Sequence, residues 1–156
     1  MCGIIGYIGS KRCVPILIEG LKKLEYRGYD SSGICILEKG NLEIVKKEGR
    51  ISELEKEEKL KGFEGTLGIA HTRWATHGKP NEINSHPHFD CKREIAIVHN
   101  GIIENYEILK KVLISEGHSI VSGTDSEIIA HLIEKFYEDN LEIAVTKALK
   151  LLEGAF

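Results

Sequence analysis

No apolar run in this chain approaches the length needed to cross a bilayer, so a membrane-spanning helix is excluded as its working part. Basic excess is also missing. The 21 Lys and Arg are outnumbered by 24 Asp and Glu, for a net charge of -3, whereas nucleic acid and anionic membrane both call for a basic stripe. Neither is expected as a partner. The four cysteines, Cys2, Cys13, Cys35 and Cys91, show no CxxC spacing, which argues for reduced thiols over a disulfide frame. No basic leader or cleavage site follows Met1, and the chain passes directly into Cys-Gly-Ile-Ile-Gly. A cytoplasmic protein is therefore expected. Internal repeats and low-complexity segments are absent.

What remains is a mixed chain of 156 residues, 42% hydrophobic and 29% charged, enough for one globular domain with a real core. Cys2–Ile8 reads as an apolar strand interrupted by glycines. Val14, Leu17, Ile18, Leu21 and Leu24 form a helical stripe behind Pro15. A polar turn is expected over 27–33, then strands at 34–37 and 42–46 joined by a hairpin turn at Gly40-Asn41. Residues 52–59 open on Ser52 and Glu55, a capping pattern, and are so charged that a surface helix is predicted. Thr66–Ala70 reads as a strand running into the polar stretch 71–78. A long loop covers 79–92, and another strand covers 94–98. Three helices follow, with Asn105 capping the first and a Thr124/Glu127 capping box opening the second. The third carries Leu141, Val145, Ala148, Leu149 and Leu152, and Gly154–Phe156 looks like the opening of a strand. Strands and helices alternate in groups, so helices should cover sheet faces in a mixed α and β architecture.

Chemistry concentrates at a few positions. Cys2 would carry both a thiol and, after loss of Met1, a free α-amine with a pKa of about 8 able to take the thiol proton. Its bland alternative is a buried cysteine beginning a strand. Asn100-Gly101 ends an apolar strand and offers a side-chain amide beside an approachable backbone N–H, the ingredients of an oxyanion hole; an ordinary turn is the competing reading. Arg73 can grip a carboxylate bidentately, with Thr76 and His77 adding donors, or it can belong to a mixed-charge surface loop. Asp125 stands at a helix start, where it can accept backbone N–H groups or hold an ammonium. An Arg for carboxylate and an Asp for ammonium together suit the zwitterionic end of an amino acid. Trp74, the only tryptophan, is a core anchor or a lid residue. His86, His88, Cys91 and His99 raise the question of metal, but H-x-H-x-x-C matches no common structural zinc pattern. No metal is expected there, and the histidines are expected to order the long loop through hydrogen bonds.

Five strings in register carry a family resemblance: Cys2–Gly6, Leu24–Gly33, His71–Gly78, His99–Ile103 and Gly123–Asp125. Together they resemble the N-terminal glutaminase domain of the isomerising glutamine–fructose-6-phosphate aminotransferases, class II amidotransferases of the N-terminal nucleophile type. The likeness runs from Met1 to Phe156. It implies an α+β fold, the four-layer αββα sandwich of N-terminal nucleophile hydrolases, truncated at its C-terminal side. It also implies hydrolysis of L-glutamine to glutamate and ammonia, the ammonia-supplying half of glucosamine 6-phosphate synthesis. By motif, Cys2 is the nucleophile and base, and Asn100 and Gly101 are the oxyanion pair. Arg73, Thr76 and His77 hold the α-carboxylate, and Asp125 holds the α-ammonium. Trp74 gates ammonia in a lid running from Arg73 to about Asn81, and Arg27, Gly28 and Tyr29 hold the nucleophile in place. No metal or organic cofactor is implied. Family members continue beyond position 156 into the rest of the glutaminase fold and two sugar-isomerase-like domains. Residues 1–156 are thus expected to be an incomplete glutaminase domain whose partners are those synthase domains and, in the full enzyme, a second copy. Two rival expectations stand beside it: an inactive fragment or interaction module that keeps the glutamine site, and a metal-binding module around His86–Cys91.

Overall fold

The computed structural model describes residues 2–74 and 81–156. Its first half is a four-stranded antiparallel sheet in the order β1-β4-β2-β3, formed by β1 (Gly3–Ile8), β2 (Ser31–Glu38), β3 (Asn41–Glu48) and β4 (Leu67–Arg73). Helix α1 (Cys13–Leu24) covers one face. Leu17 and Leu21 of α1 pack there with Ile34, Ile36 and Ala70 of the sheet, all without solvent exposure. Strand periodicity does the rest: along β4, Ala70 faces this core, and Ile69, His71 and Arg73 point to the opposite face.

That opposite face meets the second half of the chain. Two short ladders stand in for a second sheet, β5 (His88–Phe89) with β6 (Ala96–Ile97), and β7 (Ile102–Ile103) with β8 (Gly154–Ala155). Behind them lie α4 (Tyr106–Ser115), α5 (Glu127–Phe136) and α6 (Leu141–Leu149). A second core gathers Ile95, Ile103, Leu113, Ile128, Leu132, Ala144 and Ala148. The layers run helix, sheet, short ladders, helices, as expected for the sandwich. Among the described residues no helix is long and apolar enough to cross a membrane.

Several local expectations are corrected. β2 begins at Ser31, so Ser31-Ser32-Gly33 is strand and not turn: its backbone pairs with Arg73, Thr72 and His71 on one side and Glu48, Lys47 and Lys46 on the other. The hairpin turns at Lys39-Gly40, one residue earlier than Gly40-Asn41, because both central φ values are positive (50° and 85°), the requirement of a type I′ turn. The charged stretch after Arg50 is two short helices, α2 (Ile51–Glu55) and α3 (Glu58–Lys61). It is not a surface element, since Ile51, Leu54 and Leu60 bury into the first core. β4 continues through Arg73, so the polar residues 71–73 are central strand. In α6, Ala144 and Ala148 face inward while Leu141 and Leu149 stay exposed.

Candidate active site

Cys2 precedes β1, and Asn100 follows β6, yet the Cys2 nitrogen donates to Asn100 Oδ1 at 3.1 Å. The acceptor end of that amide is thus engaged, which leaves its NH₂ group as the donor. The Cys2 sulfur receives the Trp74 backbone N–H at 3.5 Å.

Arg73 reaches the same place through the pleat of β4. It is 5% exposed, and burial pulls its guanidinium below the usual range, while negative charge at Cys2, Asp30 and Asp125 acts in the other direction. The turn before β2 supports this end of the strand. Asp30 N–H donates to Arg73 O at 3.1 Å, and the Thr72 hydroxyl donates to the Gly28 carbonyl. A Cβ on Gly28 would stand 2.7 Å from the Arg73 carbonyl carbon and the Trp74 nitrogen. Glycine is therefore required there by close backbone approach. Tyr29 meets Trp74 edge-on with ring centroids 5.8 Å apart. Gly28, Tyr29 and Asp30 thus brace Arg73 and Trp74, and the Trp74 backbone in turn meets the Cys2 sulfur. Trp74 is 45% exposed, so it is not a core anchor.

Asp125 divides its carboxylate between Ile103 N–H at 2.8 Å and the Ser126 hydroxyl at 3.3 Å. It still borders a cleft of about 210 Å³ with Cys2, Arg73, Trp74, Asn100 and Gly101. One cation, one anion and one thiol share a space sized for a small metabolite. Gly101 has a structural duty as well, since a Cβ there would lie 2.4 Å from Ala155 O. Thr76 and His77, with most of the proposed lid, lie outside the described residues. His86, His99, Thr124 and Ser126 also line the cleft. Sequence reasoning treated these two histidines as loop residues and Thr124 as a helix cap, and gave Ser126 no role.

Residues 71–156 match the family model described as a glutamine amidotransferase domain. The chain belongs to the glutamine amidotransferase family. Over 156 residues it is 54% identical to the isomerising glutamine–fructose-6-phosphate aminotransferases of Caldanaerobacter subterraneus and Aquifex aeolicus. It is 49% identical to that of Clostridium perfringens. All of this chain is covered in each case, but it spans only 26% of each relative. Glutamine phosphoribosylpyrophosphate amidotransferase from B. subtilis superposes with a TM-score of 0.85 at 29% identity, over 98% of this chain and 33% of that one. A second structure, an allosteric regulatory enzyme of purine biosynthesis, gives 0.87 at 30% identity, over 99% and 34%. The fold is that of an N-terminal nucleophile amidotransferase.

Behind the cleft of this amidotransferase domain stands a column of buried histidines. His71 stacks on His86 with centroids 4.1 Å apart, and His86 meets His88 edge-on at 4.5 Å. His99 N–H donates to His86 Nδ1 at 3.3 Å, and His99 Nδ1 pairs with the Ser126 hydroxyl at 2.8 Å. His71 Nε2 lies 3.1 Å from the His99 carbonyl, which can only accept, so that nitrogen carries the proton. Burial pushes His71 and His88 down to about 3 and His86 well below its usual value, with neighbouring histidine charges adding to the fall. All are neutral at pH 7. The expected loop-ordering role is what these contacts perform.

Proposed function

We propose that this chain hydrolyses the side-chain amide of L-glutamine, with Cys2 as nucleophile and its own amine, freed by removal of Met1, as base. The observation that carries the proposal is the 3.1 Å bond from the Cys2 nitrogen to Asn100 Oδ1. It holds the nitrogen by the amide oxygen and leaves the NH₂ group of Asn100 as the donor for the oxyanion. The amine takes the thiol proton, and sulfur bonds to the amide carbon while the carbonyl electrons move to oxygen. Asn100 and the Gly101 N–H stabilise that oxyanion. The C–N bond then breaks, ammonia leaves with the proton held by the amine, and water cleaves the thioester to glutamate and free thiol.

Arg73 is assigned to the α-carboxylate and Asp125 to the α-ammonium, because they supply opposite charges to one cleft with the sulfur. Thr76, His77 and the ammonia-gating role of Trp74 rest on family likeness. The aminotransferase relatives support a further step, delivery of ammonia to a sugar-phosphate synthase region that makes glucosamine 6-phosphate.

The test couples mass spectrometry of the N-terminus to an assay of glutamate release. Mature, Cys-first protein should release glutamate, and a glutamine-like electrophile should label Cys2 alone. Cys2→Ala should lower turnover by at least about 10³-fold. Labelling at Cys35 or Cys91, or folded mature protein that binds glutamine without cleaving it, would replace the enzyme reading by a binding module.

A further inference from the structure

Cys91, His118, His131 and Glu134 are far apart in sequence and meet at one point. Cys91 lies just past β5, His118 follows α4, and His131 and Glu134 share a face of α5. Their donor atoms all lie within 4.8 Å of one another. We propose that these four residues form a structural site for a divalent cation of the zinc class, separate from the glutamine cleft and independent of the reading given for it.

Four of the six separations are close to the edges of a tetrahedron, and the other two are within 4.8 Å. Cys91 Sγ is 3.6 Å from His118 Nδ1 and 3.4 Å from His131 Nδ1. Glu134 Oε2 is 3.0 Å from His118 Nδ1 and 3.5 Å from His131 Nδ1. Bonds of about 2.3 Å to sulfur and about 2.0 Å to nitrogen or oxygen, at tetrahedral angles, put the ligand atoms roughly 3.3–3.6 Å apart. One thiolate, two imidazoles and one carboxylate form a donor set that favours zinc over calcium or magnesium.

Hydrogen bonding alone serves this cluster poorly. Two ring nitrogens each face both the sulfur and the carboxylate oxygen, giving four close contacts, and one proton on each Nδ1 with the thiol proton bring at most three to them. A cation at the centre uses every lone pair at once. The surroundings are arranged accordingly. Ser119 N–H points at Cys91 Sγ at 3.4 Å, and Cys91 N–H at Glu134 Oε2 at 3.2 Å, so both anionic ligands receive backbone donors. His131 is 1% exposed, and its other nitrogen, Nε2, faces Glu127 Oε1 at 3.7 Å. The carboxylate lies just beyond hydrogen-bond distance, on the side from which it favours a proton on Nε2 and leaves Nδ1 for metal. Cys91 is exposed, which gives the ion a way in. On binding, the thiol proton passes to solvent and a metal–sulfur bond forms.

The site would tie the end of β5 and the segment after α4 to the side of α5, the helix that Asp125 and Ser126 of the cleft immediately precede. A spacing search over His86–Cys91 misses it, because three of its four ligands come from later segments.

The test uses the whole chain, stripped with chelator and titrated with zinc against a chromogenic competitor. It is repeated with cobalt to look for a thiolate-to-cobalt charge-transfer band. One equivalent should bind with a dissociation constant below about 1 µM, and saturation should raise the melting temperature by roughly 5 °C. Cys91→Ser and His118→Ala should each weaken binding about 100-fold or more and abolish or shift the cobalt band, whereas Cys2→Ala should leave both unchanged. His118→Ala, altering a partly exposed ring, serves where Cys91→Ser fails to fold by circular dichroism. Absence of zinc binding to the folded chain overturns the proposal. So does binding indifferent to both cluster variants, or binding lost in Cys2→Ala.

Discussion

At the scale of single residues, the cleft separates groups whose duties differ though they lie side by side. Asn100 has two ends: Oδ1 receives the Cys2 nitrogen, and the NH₂ group is the donor proposed above for the oxyanion. Asn100→Asp keeps the acceptor and removes the donor. Turnover should then fall about 10²- to 10³-fold, with the melting temperature within about 2 °C of wild type. A variant with near-normal turnover would remove Asn100 from the oxyanion role. Arg73→Ala should act on the other kinetic constant, raising KM for glutamine about 10- to 150-fold, the worth of a hydrogen bond to a charged group. An unchanged KM would reassign the carboxylate. Cys2, Asn100, Arg73 and Asp125 stood out as candidates because each carries a distinctive group beside a strand end or helix start, but each had a bland alternative, and the family resemblance is what gathered them into one site; the cleft brings the four together. Thr124, Ser126, His86 and His99 were not legible as cleft residues, because hydroxyls and imidazoles serve loops everywhere and only folding sets these beside the sulfur.

At the scale of elements, periodicity identified the long helices and six of the eight described strands; β5, inside the expected 79–92 loop, and β7 are two residues each, too short to show a period, and the other errors lie at ends. Ser52 lies inside α2, and the free Ile51 N–H at its start is met by Glu25 Oε1, 3.0 Å away and 26 residues earlier. Asn105 leaves α4 uncapped by its side chain, donating to Leu151 O and accepting from Glu153 N–H, so that it clips β8 in place. Glu127 turns back to Val121 and Ser122 N–H, at 3.0 Å and 2.6 Å, and Ser126 takes the cap position. Local capping patterns fail when a distant partner competes for the same side chain. Asn140 does cap α6, accepting from Ile143 N–H at 3.0 Å. The misread helix α2 supplies a direct check. Leu54 is wholly buried, so Leu54→Ala should cost about 2–5 kcal/mol in urea unfolding while KM for glutamine is retained; a surface helix would lose almost nothing. Gly33→Ala should lower stability and activity together. Its Cβ would stand 2.1 Å from His86 O, forcing the β2 face away from the loop that forms the rear of the cleft.

At the scale of the whole molecule, the two cores are joined through a polar layer, and that layer should set the acid limit of stability. His71 and His88 titrate near 3 when folded and near 6.5 when unfolded, both through burial. Burial holds His86 well below its usual value as well, so just below pH 6.5 the unfolded chain binds three protons that the native chain refuses; stability is complete above about pH 6.5 and falls as pH is lowered. Carboxylates act later. Glu127 is held down to about 2, because the imidazole of His131 and the Ser122 and Val121 donors outweigh its burial, so its contribution is lost only below its ordinary value of 4.5. The window from pH 6.5 to 4.5 therefore isolates the histidines. With chelator present, to silence any bound ion, the unfolding free energy should drop by about 1.4 kcal/mol per pH unit for each histidine, or roughly 4 for His71, His86 and His88 together. His71→Gln should remove about one proton from that slope. A flat profile across the window would mean that these rings accept protons in the native state, and the stacked column would then have to open as the pH falls.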